Sequence, residues 1–144
     1  MVNNDTIELL KECNAGIKMG ISSIDDVLSD VSNEDLRQRL EVCKREHEKL
    51  EEETKDILND YEDAGEKPNV MAKTMSWIKT NVKMTMKPDD ETISDLMTDG
   101  CNMGVKSLNR YLNQYEAAEE KVKDITKRLI NLEEKLAIDI RQYL

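Results

Sequence analysis

The sequence contains a single histidine, and this residue has the clearest capacity for chemistry. His47 follows Glu46 on the apolar stripe of a predicted helix, and Glu133 occupies the equivalent place in the second half of the chain. An imidazole beside carboxylates can ligate iron or zinc, or transfer a proton. A buried histidine that donates a hydrogen bond to a carboxylate is the structural alternative, because the bond offsets the desolvation of both groups. We expect this structural pair, with no catalytic residue and no cofactor.

The three cysteines, Cys13, Cys43 and Cys101, are odd in number and widely spaced, a pattern typical of reduced thiols in the cytoplasm. They do not combine with His47 in a zinc site. If the first helix turns near residue 31, Cys13 and Cys43 lie about 10 Å apart along the bundle at about 1.5 Å per residue. Zinc–sulfur bonds are only about 2.3 Å long. We therefore interpret all three as small buried hydrophobic residues.

Two pairs of glycines at four-residue spacing lie inside predicted helices. They are Gly16 with Gly20, and Gly100 with Gly104. A glycine within a helix costs about 1 kcal/mol relative to alanine, so four such residues require a reason. Close packing of the first and third helices is the expected reason, and room for a ligand or a partner helix is the alternative.

A basic segment separates the two halves of the chain. Residues 67–87 contain five lysines and no acidic residue, so 16 basic residues face 31 acidic ones elsewhere. The segment's lysines and its tryptophan are Lys67, Lys73, Trp77, Lys79, Lys83 and Lys87. A basic amphipathic helix can bind an anionic membrane or an acidic partner. We expect this one to pack on its own acidic bundle instead, with membrane or partner binding as the alternative.

The composition restricts the elements that can position these residues. The 144 residues include 5 glycines, 2 prolines and no phenylalanine, which excludes an all-β fold rich in turns and aromatic residues. No apolar run approaches the roughly 18 residues of a membrane span, and the N-terminus lacks the features of a signal peptide. The net charge of −10 argues against nucleic-acid binding. These features predict a cytoplasmic, acidic, all-α protein.

Apolar residues spaced by three and four predict four long helices. The first two stripes comprise Ile7, Leu10, Asn14, Ile17, Ile21, Ile24, Leu28 and Val31, then Leu36, Leu40, Cys43, His47, Leu50, Thr54, Ile57 and Tyr61. The last two comprise Ile93, Met97, Cys101, Val105, Leu108, Leu112 and Tyr115, then Val122, Ile125, Leu129, Leu132, Leu136, Ile140 and Tyr143. Asp5 and Glu8 resemble a capping box at the first start, and residues 32–35 offer the second cap. We predict one domain over residues 1–144, with helix pairs at 5–64 and 92–144 and a short crossover helix within 65–91.

An internal repeat predicts the turn between the last two helices, where residues 116–119 contain no helix breaker. Residues 13–18 (Cys-Asn-Ala-Gly-Ile-Lys) recur at 101–106 as Cys-Asn-Met-Gly-Val-Lys. If the second half copies the first, its helix pair must turn near residues 117–120. Asn14 and Asn102, equivalent in the repeat, are then expected to form paired polar groups in the core.

Two helix pairs with one long crossover resemble the ferritin-like superfamily. Residues 72–79 (Ala-Lys-Thr-Met-Ser-Trp-Ile-Lys) and 88–93 (Pro-Asp-Asp-Glu-Thr-Ile) are similar to a bacterial family of ferritin-like domains of unassigned function. Active members of the superfamily hold two irons with four glutamates and two histidines. The resemblance places Ile17 and Val105 at single-glutamate positions, and leaves only His47 and Glu133 of the remaining ligands.

The resemblance therefore implies a ferritin-like antiparallel four-helix bundle that has lost its di-iron ligands. We expect a non-catalytic scaffold or interaction domain that associates with itself or with another protein. A metal-binding or metal-storage protein, with iron or zinc near His47, Glu46 and Glu133, is the alternative. Binding of an anionic membrane or acidic partner through the crossover is the second alternative.

Overall fold

The four predicted helices are present in the structure, a computed structural model that describes residues 2–65 and 88–144. The elements are α1 (Asn4–Leu28), α2 (Glu34–Asp63), α3 (Asp90–Gln114), α4 (Glu120–Ile140) and a short 3₁₀ helix (Arg141–Tyr143). No strand occurs within these ranges. Short turns join α1 to α2 and α3 to α4, so each pair is antiparallel. The bundle predicted from the apolar stripes is thereby confirmed.

Side-chain caps set the first three helix starts. Asn3 accepts a hydrogen bond from the Thr6 amide at 2.8 Å, so α1 begins before the capping box predicted at Asp5, and that prediction is wrong. Asn33 caps α2 as expected. Asp89 caps α3, which begins at Asp90, inside the segment assigned to the crossover. Asparagine and aspartate are preferred here because their side-chain oxygens satisfy amides that have no partner within the helix.

The two helix pairs hold each other's turns in a reciprocal manner. The carboxylate of Asp90, at the start of α3, accepts hydrogen bonds from the amides of Ser32 and Asn33 at 2.8 and 2.9 Å. The carboxylate of Asp5, at the start of α1, accepts one from the Ala117 amide at 3.0 Å. The turn predicted near residues 117–120 from the repeat therefore exists, and matching contacts hold it and its counterpart.

The core follows the predicted stripe closely in α2 and less closely elsewhere. All eight predicted residues of α2 are buried. In α1 the buried face also includes Leu9, Cys13 and Val27, while Ile7 and Ile21 are partly exposed. The difference arises because α1 packs against α2, α3 and α4, whereas α2 packs mainly against α1 and α4. A helix with three neighbours buries a wider face than a single stripe.

The asparagines of the repeated block do not behave alike. Asn14 is 7% exposed, whereas Asn102 lies on the surface. The predicted pair of polar core residues is therefore wrong. The face of α3 that carries Asn102 has no helix packed over it among the described residues, so the second asparagine stays in contact with water.

The predicted crossover helix and its basic residues lie outside the described residues. These residues are Lys67, Lys73, Trp77, Lys79, Lys83 and Lys87. Before this segment, α2 ends at Asp63 and Gly65 adopts a left-handed conformation with φ of 83°, which glycine reaches without steric cost. None of the described helices is long and apolar enough to cross a membrane.

Candidate functional site

A cavity of about 260 Å³ opens between α1 and α3. Its walls are mainly apolar, and α2 and α4 contribute His47, Glu133 and Leu136 to its base. All four glycines singled out in the sequence line it: Gly16, Gly20, Gly100 and Gly104. The spacing of four residues places each pair on one face of its helix. On each helix the two glycines therefore form a strip of the cavity wall that carries no side chains.

His47 lines this cavity and keeps one ring nitrogen unprotonated. The side chain is 2% exposed, and its Nδ1 lies 2.8 Å from the Cys43 carbonyl, one turn earlier in α2. A carbonyl can only accept, so Nδ1 carries the proton and Nε2 holds a free lone pair. Nε2 has no hydrogen-bond partner among the described residues. Burial lowers the pKa of His47 below its ordinary value, so the ring is neutral at pH 7.

Glu133 approaches the same cavity from α4. Although the residue is partly exposed, its Oε2 atom is buried and lacks a hydrogen-bond partner within the described part of the chain. Burial raises the pKa of Glu133 to about 8, because an ionised carboxylate loses hydration there. The carboxyl group is therefore mostly protonated at pH 7.

Two of the glycines provide the space that these side chains occupy. A Cβ atom on Gly20 would lie 2.6 Å from His47 Nε2, and one on Gly104 would lie 2.8 Å from the carboxyl carbon of Glu133. On Gly16 the nearest atom would be a Leu129 methyl at 3.3 Å. The atoms that an added Cβ would meet first thus belong to side chains of α2 and α4. This favours glycines that leave room for core side chains over glycines that let α1 and α3 approach closely.

The structure places His47 and Glu133 around one cavity but does not join them as predicted. The expected hydrogen bond from His47 to a carboxylate is absent, because the ring donates to the nearer Cys43 carbonyl. Glu46 turns away from the cavity and pairs with Lys49 at 2.9 Å. Sequence analysis did not identify Ser23, whose buried hydroxyl also lines the cavity without a partner among the described residues. The signal available in the sequence was the position of Ser23 three residues after Gly20, which places both residues on one face of the helix.

The cysteines are all buried and free, as expected. Cys13 belongs to one core cluster, while Cys43 and Cys101 belong to the other. Burial raises the pKa of Cys13 and of Cys43 to about 12, and that of Cys101 above its ordinary value as well. Thiols in this state are poor nucleophiles and poor metal ligands.

The two positions at which the resemblance implies single glutamates lie at the core. Ile17 is fully buried in the core, and Val105 packs against the same cluster. Within residues 2–65 and 88–144, no group of three or more histidine, cysteine, aspartate or glutamate side chains could hold a metal ion. Of the ligand positions that the resemblance implies, His47 and Glu133 are those that keep a possible ligand, and both residues line the cavity.

Solved structures similar to this chain identify its architecture. A bacterioferritin-related protein from Bacteroides fragilis, described as a dodecameric thioferritin, has a TM-score of 0.65 and 14% identity over 94% of this chain and 83% of that one. Dps92 from Deinococcus radiodurans has a TM-score of 0.64 and 12% identity over 97% and 86%. The fold is ferritin-like. No protein-family model matches the sequence, and no curated protein does. At these identities, the likeness of the ferritin-like bundle to the two proteins concerns its fold alone.

Proposed function

We propose that this ferritin-like bundle is a non-catalytic protein that binds a small, largely apolar molecule in the cavity between α1 and α3. One observation carries the proposal: His47 of α2 and Glu133 of α4 line one cavity, and His47 Nε2 and Glu133 Oε2 have no hydrogen-bond partners among the described residues. A buried polar group without a partner costs about 1–3 kcal/mol. A ligand that pairs with both atoms removes this cost. An apolar pocket with a few convergent polar groups is the usual form of a small-molecule site.

The dimensions of the cavity suit a ligand larger than a single aromatic ring. An apolar cavity of about 150 Å³ binds benzene, and this cavity measures about 260 Å³. Met19, Met97 and Met103 are among its lining residues. Methionine side chains are flexible and polarizable, so they adapt to ligands of different shapes.

The ionisation states of the cavity residues favour binding over catalysis. Nucleophilic catalysis requires a nucleophile hydrogen-bonded to a base. The Ser23 hydroxyl makes no such bond to His47, and the Cys101 thiol in the cavity wall is held protonated by burial. For this reason we propose a binding protein and not an enzyme.

The uncharged fluorescent probe N-phenyl-1-naphthylamine tests this proposal on the full chain. We expect saturable binding to one site with an increase in emission. Ser107 lies at the exposed edge of the cavity wall on α3, so Ser107→Trp should block the site and abolish binding. Asn113→Trp, an exposed position of α3 outside the cavity, should leave binding unchanged. Absence of saturable binding to the unmodified protein, or equal binding by both variants, would overturn the proposal.

A metal site at His47 is the second candidate. Metal-ligating histidines commonly donate their other ring nitrogen to a carbonyl or carboxylate, and His47 donates Nδ1–H to the Cys43 carbonyl. Glu133 would be the second protein ligand of an iron or zinc ion. The test is metal analysis of protein purified without chelators. About one metal per chain that is lost in His47→Ala would favour this candidate over an organic ligand.

We also propose that the chain forms homo-oligomers. Large hydrophobic residues are exposed on three helices and at the C-terminal end: Val42, Met103, Ile138 and Leu144. One of the proteins with this fold is described as dodecameric. Light-scattering mass measurement tests the proposal, and a monomer at micromolar concentration contradicts it. Binding of membranes or acidic partners through Lys73, Lys79, Lys83 and Lys87 stays a prediction, tested by sedimentation with anionic vesicles at low salt.

A further inference from the structure

Three helices each contribute to the cavity lining one residue with a buried polar atom that has no hydrogen-bond partner among the described residues. These atoms are Ser23 Oγ of α1, His47 Nε2 of α2 and Glu133 Oε2 of α4. Ser23 follows Gly20 by three residues on one face of α1, and the space at Gly20 is filled by the His47 ring. Ser23 and His47 therefore both lie beside Gly20.

Glu133 belongs to the same group of side chains. Its charge acts on the thiols of Cys43 and Cys101. The Cys43 sulfur in turn lies 3.6 Å from His47 Nδ1. Both residues line the cavity, Glu133 from α4 and His47 from α2.

Each of the three atoms can accept a hydrogen bond. His47 Nε2 can only accept, because the ring proton lies on Nδ1 beside the Cys43 carbonyl. The Ser23 hydroxyl oxygen accepts as well, and Glu133 accepts through both oxygens once it releases its proton. A primary ammonium group carries three N–H donors and no acceptor. The three donors of the ammonium therefore match the three acceptor atoms in number and in polarity.

The charges around the cavity favour the same ligand. The titratable residues of the lining are Glu12, His47, Cys101, Tyr111 and Glu133, and no lysine or arginine is among the described lining residues. Among these described residues a bound carboxylate finds no counter-ion, and an unpaired buried charge is costly. A bound ammonium would gain Glu133 as its counter-ion, since a positive charge nearby favours the ionised form of the carboxyl.

We infer that the ligand of this cavity is a primary amine with an apolar aromatic or aliphatic body. Its ammonium is held by Ser23, His47 and Glu133, and its body lies along the glycine strips of α1 and α3. This inference rests on the proposed small-molecule binding and names the ligand class. Binding transfers the Glu133 proton to solvent, so each amine that enters as a cation at pH 7 releases up to one proton from the protein.

Displacement of N-phenyl-1-naphthylamine by three matched compounds tests the inference, with a chelator present throughout. The compounds are 4-phenylbutylamine, 4-phenyl-1-butanol and 4-phenylbutyrate, which share a body and differ in the charge of the head group. We expect the amine to displace the probe at a concentration about tenfold lower than the alcohol, the effect of one charge-assisted hydrogen bond. The carboxylate should be the weakest competitor. An alcohol or carboxylate that competes as well as the amine would overturn the inference.

Glu133→Gln supplies the decisive variant because it keeps the shape of the side chain and cannot ionise. We expect it to bind the probe normally and to lose the preference for the amine. Glu134→Gln makes the same substitution at the adjacent, exposed position and should keep the preference. Calorimetry at pH 7 in phosphate and in Tris should detect proton release on amine binding to the unmodified protein and none for Glu133→Gln. Failure of the probe to bind refutes the proposed function, whereas probe binding without amine preference refutes only the ligand class.

Discussion

A Cβ atom on Gly20 of α1 would lie 2.6 Å from Nε2 of His47 on α2. The imidazole cannot easily retreat, because it is 2% exposed and its other nitrogen is bonded to the Cys43 carbonyl. Position 20 must therefore be glycine to leave room for the His47 ring. This relationship explains why a residue unfavourable to helices stands in the middle of α1.

Gly20→Ala is expected to destabilise the fold. The substitution gains about 1 kcal/mol in helix propensity, but the clash with the His47 ring costs about 1–3 kcal/mol, and we expect the clash to dominate. Urea unfolding measures the difference. Gly16→Ala is the matched control, since its neighbour is a Leu129 methyl at 3.3 Å, which can yield. In the double variant Gly20→Ala/His47→Ala, the loss of stability caused by the clash should disappear. If Gly20→Ala is instead more stable than the unmodified protein, the steric explanation is wrong.

Gly104→Ala should cost less stability than Gly20→Ala. The new methyl group would meet the carboxyl end of Glu133, and this end can rotate towards solvent because the residue is partly exposed. Glutamate has more rotatable bonds than histidine, so the side chain can relieve the contact. Thermal unfolding of the two variants compares the costs. An equal or larger loss in Gly104→Ala would mean that Glu133 is held in place.

The stability of the protein should fall as the pH rises from 6.5 to 8. The folded state keeps the Glu133 proton up to about pH 8, whereas the unfolded state releases it near 4.5. The folded state therefore binds more protons in this range, and the free energy of unfolding decreases by up to about 1.4 kcal/mol per pH unit. His47 has the opposite effect at lower pH: its pKa is depressed in the folded state, so stability is lost as the pH falls below the ordinary value of 6.5.

Glu133→Gln tests the pH dependence directly. The amide does not titrate, so the free energy of unfolding of this variant should be nearly constant between pH 6.5 and 8. The thiols of Cys13, Cys43 and Cys101 contribute little in this window, because burial raises their pKa values in the folded state and the ordinary thiol pKa of 9.0 lies above the window. Urea unfolding at several pH values gives the slope. An equal slope in both proteins would show that Glu133 ionises normally in the folded state.

Asp90→Ala should destabilise the bundle although the residue lies near the surface. The substitution removes the acceptors of the Ser32 and Asn33 amides and a negative charge at the start of α3. We expect a loss of about 1–2 kcal/mol. Asp99→Ala, an exposed position of the same helix, is the control and should change stability by less than about 0.5 kcal/mol. Similar effects of the two substitutions would contradict a specific role for the contact.

The sequence predicts the buried face of α2 completely and that of α1 only in part, and the reason is geometric. A helix between two main neighbours buries one stripe, which the three-and-four spacing describes. Leu9 and Val27 are buried because α1 contacts three helices. Such contacts depend on how the helices are rotated in the bundle, and one helix's own spacing does not specify this rotation.

The candidate site was predictable in its residues but not in its contacts. His47 was recognisable as a polar group on an apolar stripe, and Glu133 as its equivalent in the repeat. The repeat pairs Gly16 with Gly104, yet His47 packs against Gly20, one turn further along α1. The register between helices decides this difference, and it leaves Nε2 beside Gly20 without a hydrogen-bond partner among the described residues.

The reciprocal contacts at the helix starts have a consequence for how the bundle comes apart. Asp90 belongs to the second half and holds the turn of the first, while Asp5 belongs to the first half and holds the turn of the second. The Thr6 hydroxyl adds a further bond by accepting from the Glu119 amide at 2.9 Å. When either half loosens, the other loses the acceptors for its own turn. We therefore expect the two halves to unfold as one cooperative unit, even though the sequence carries a repeat.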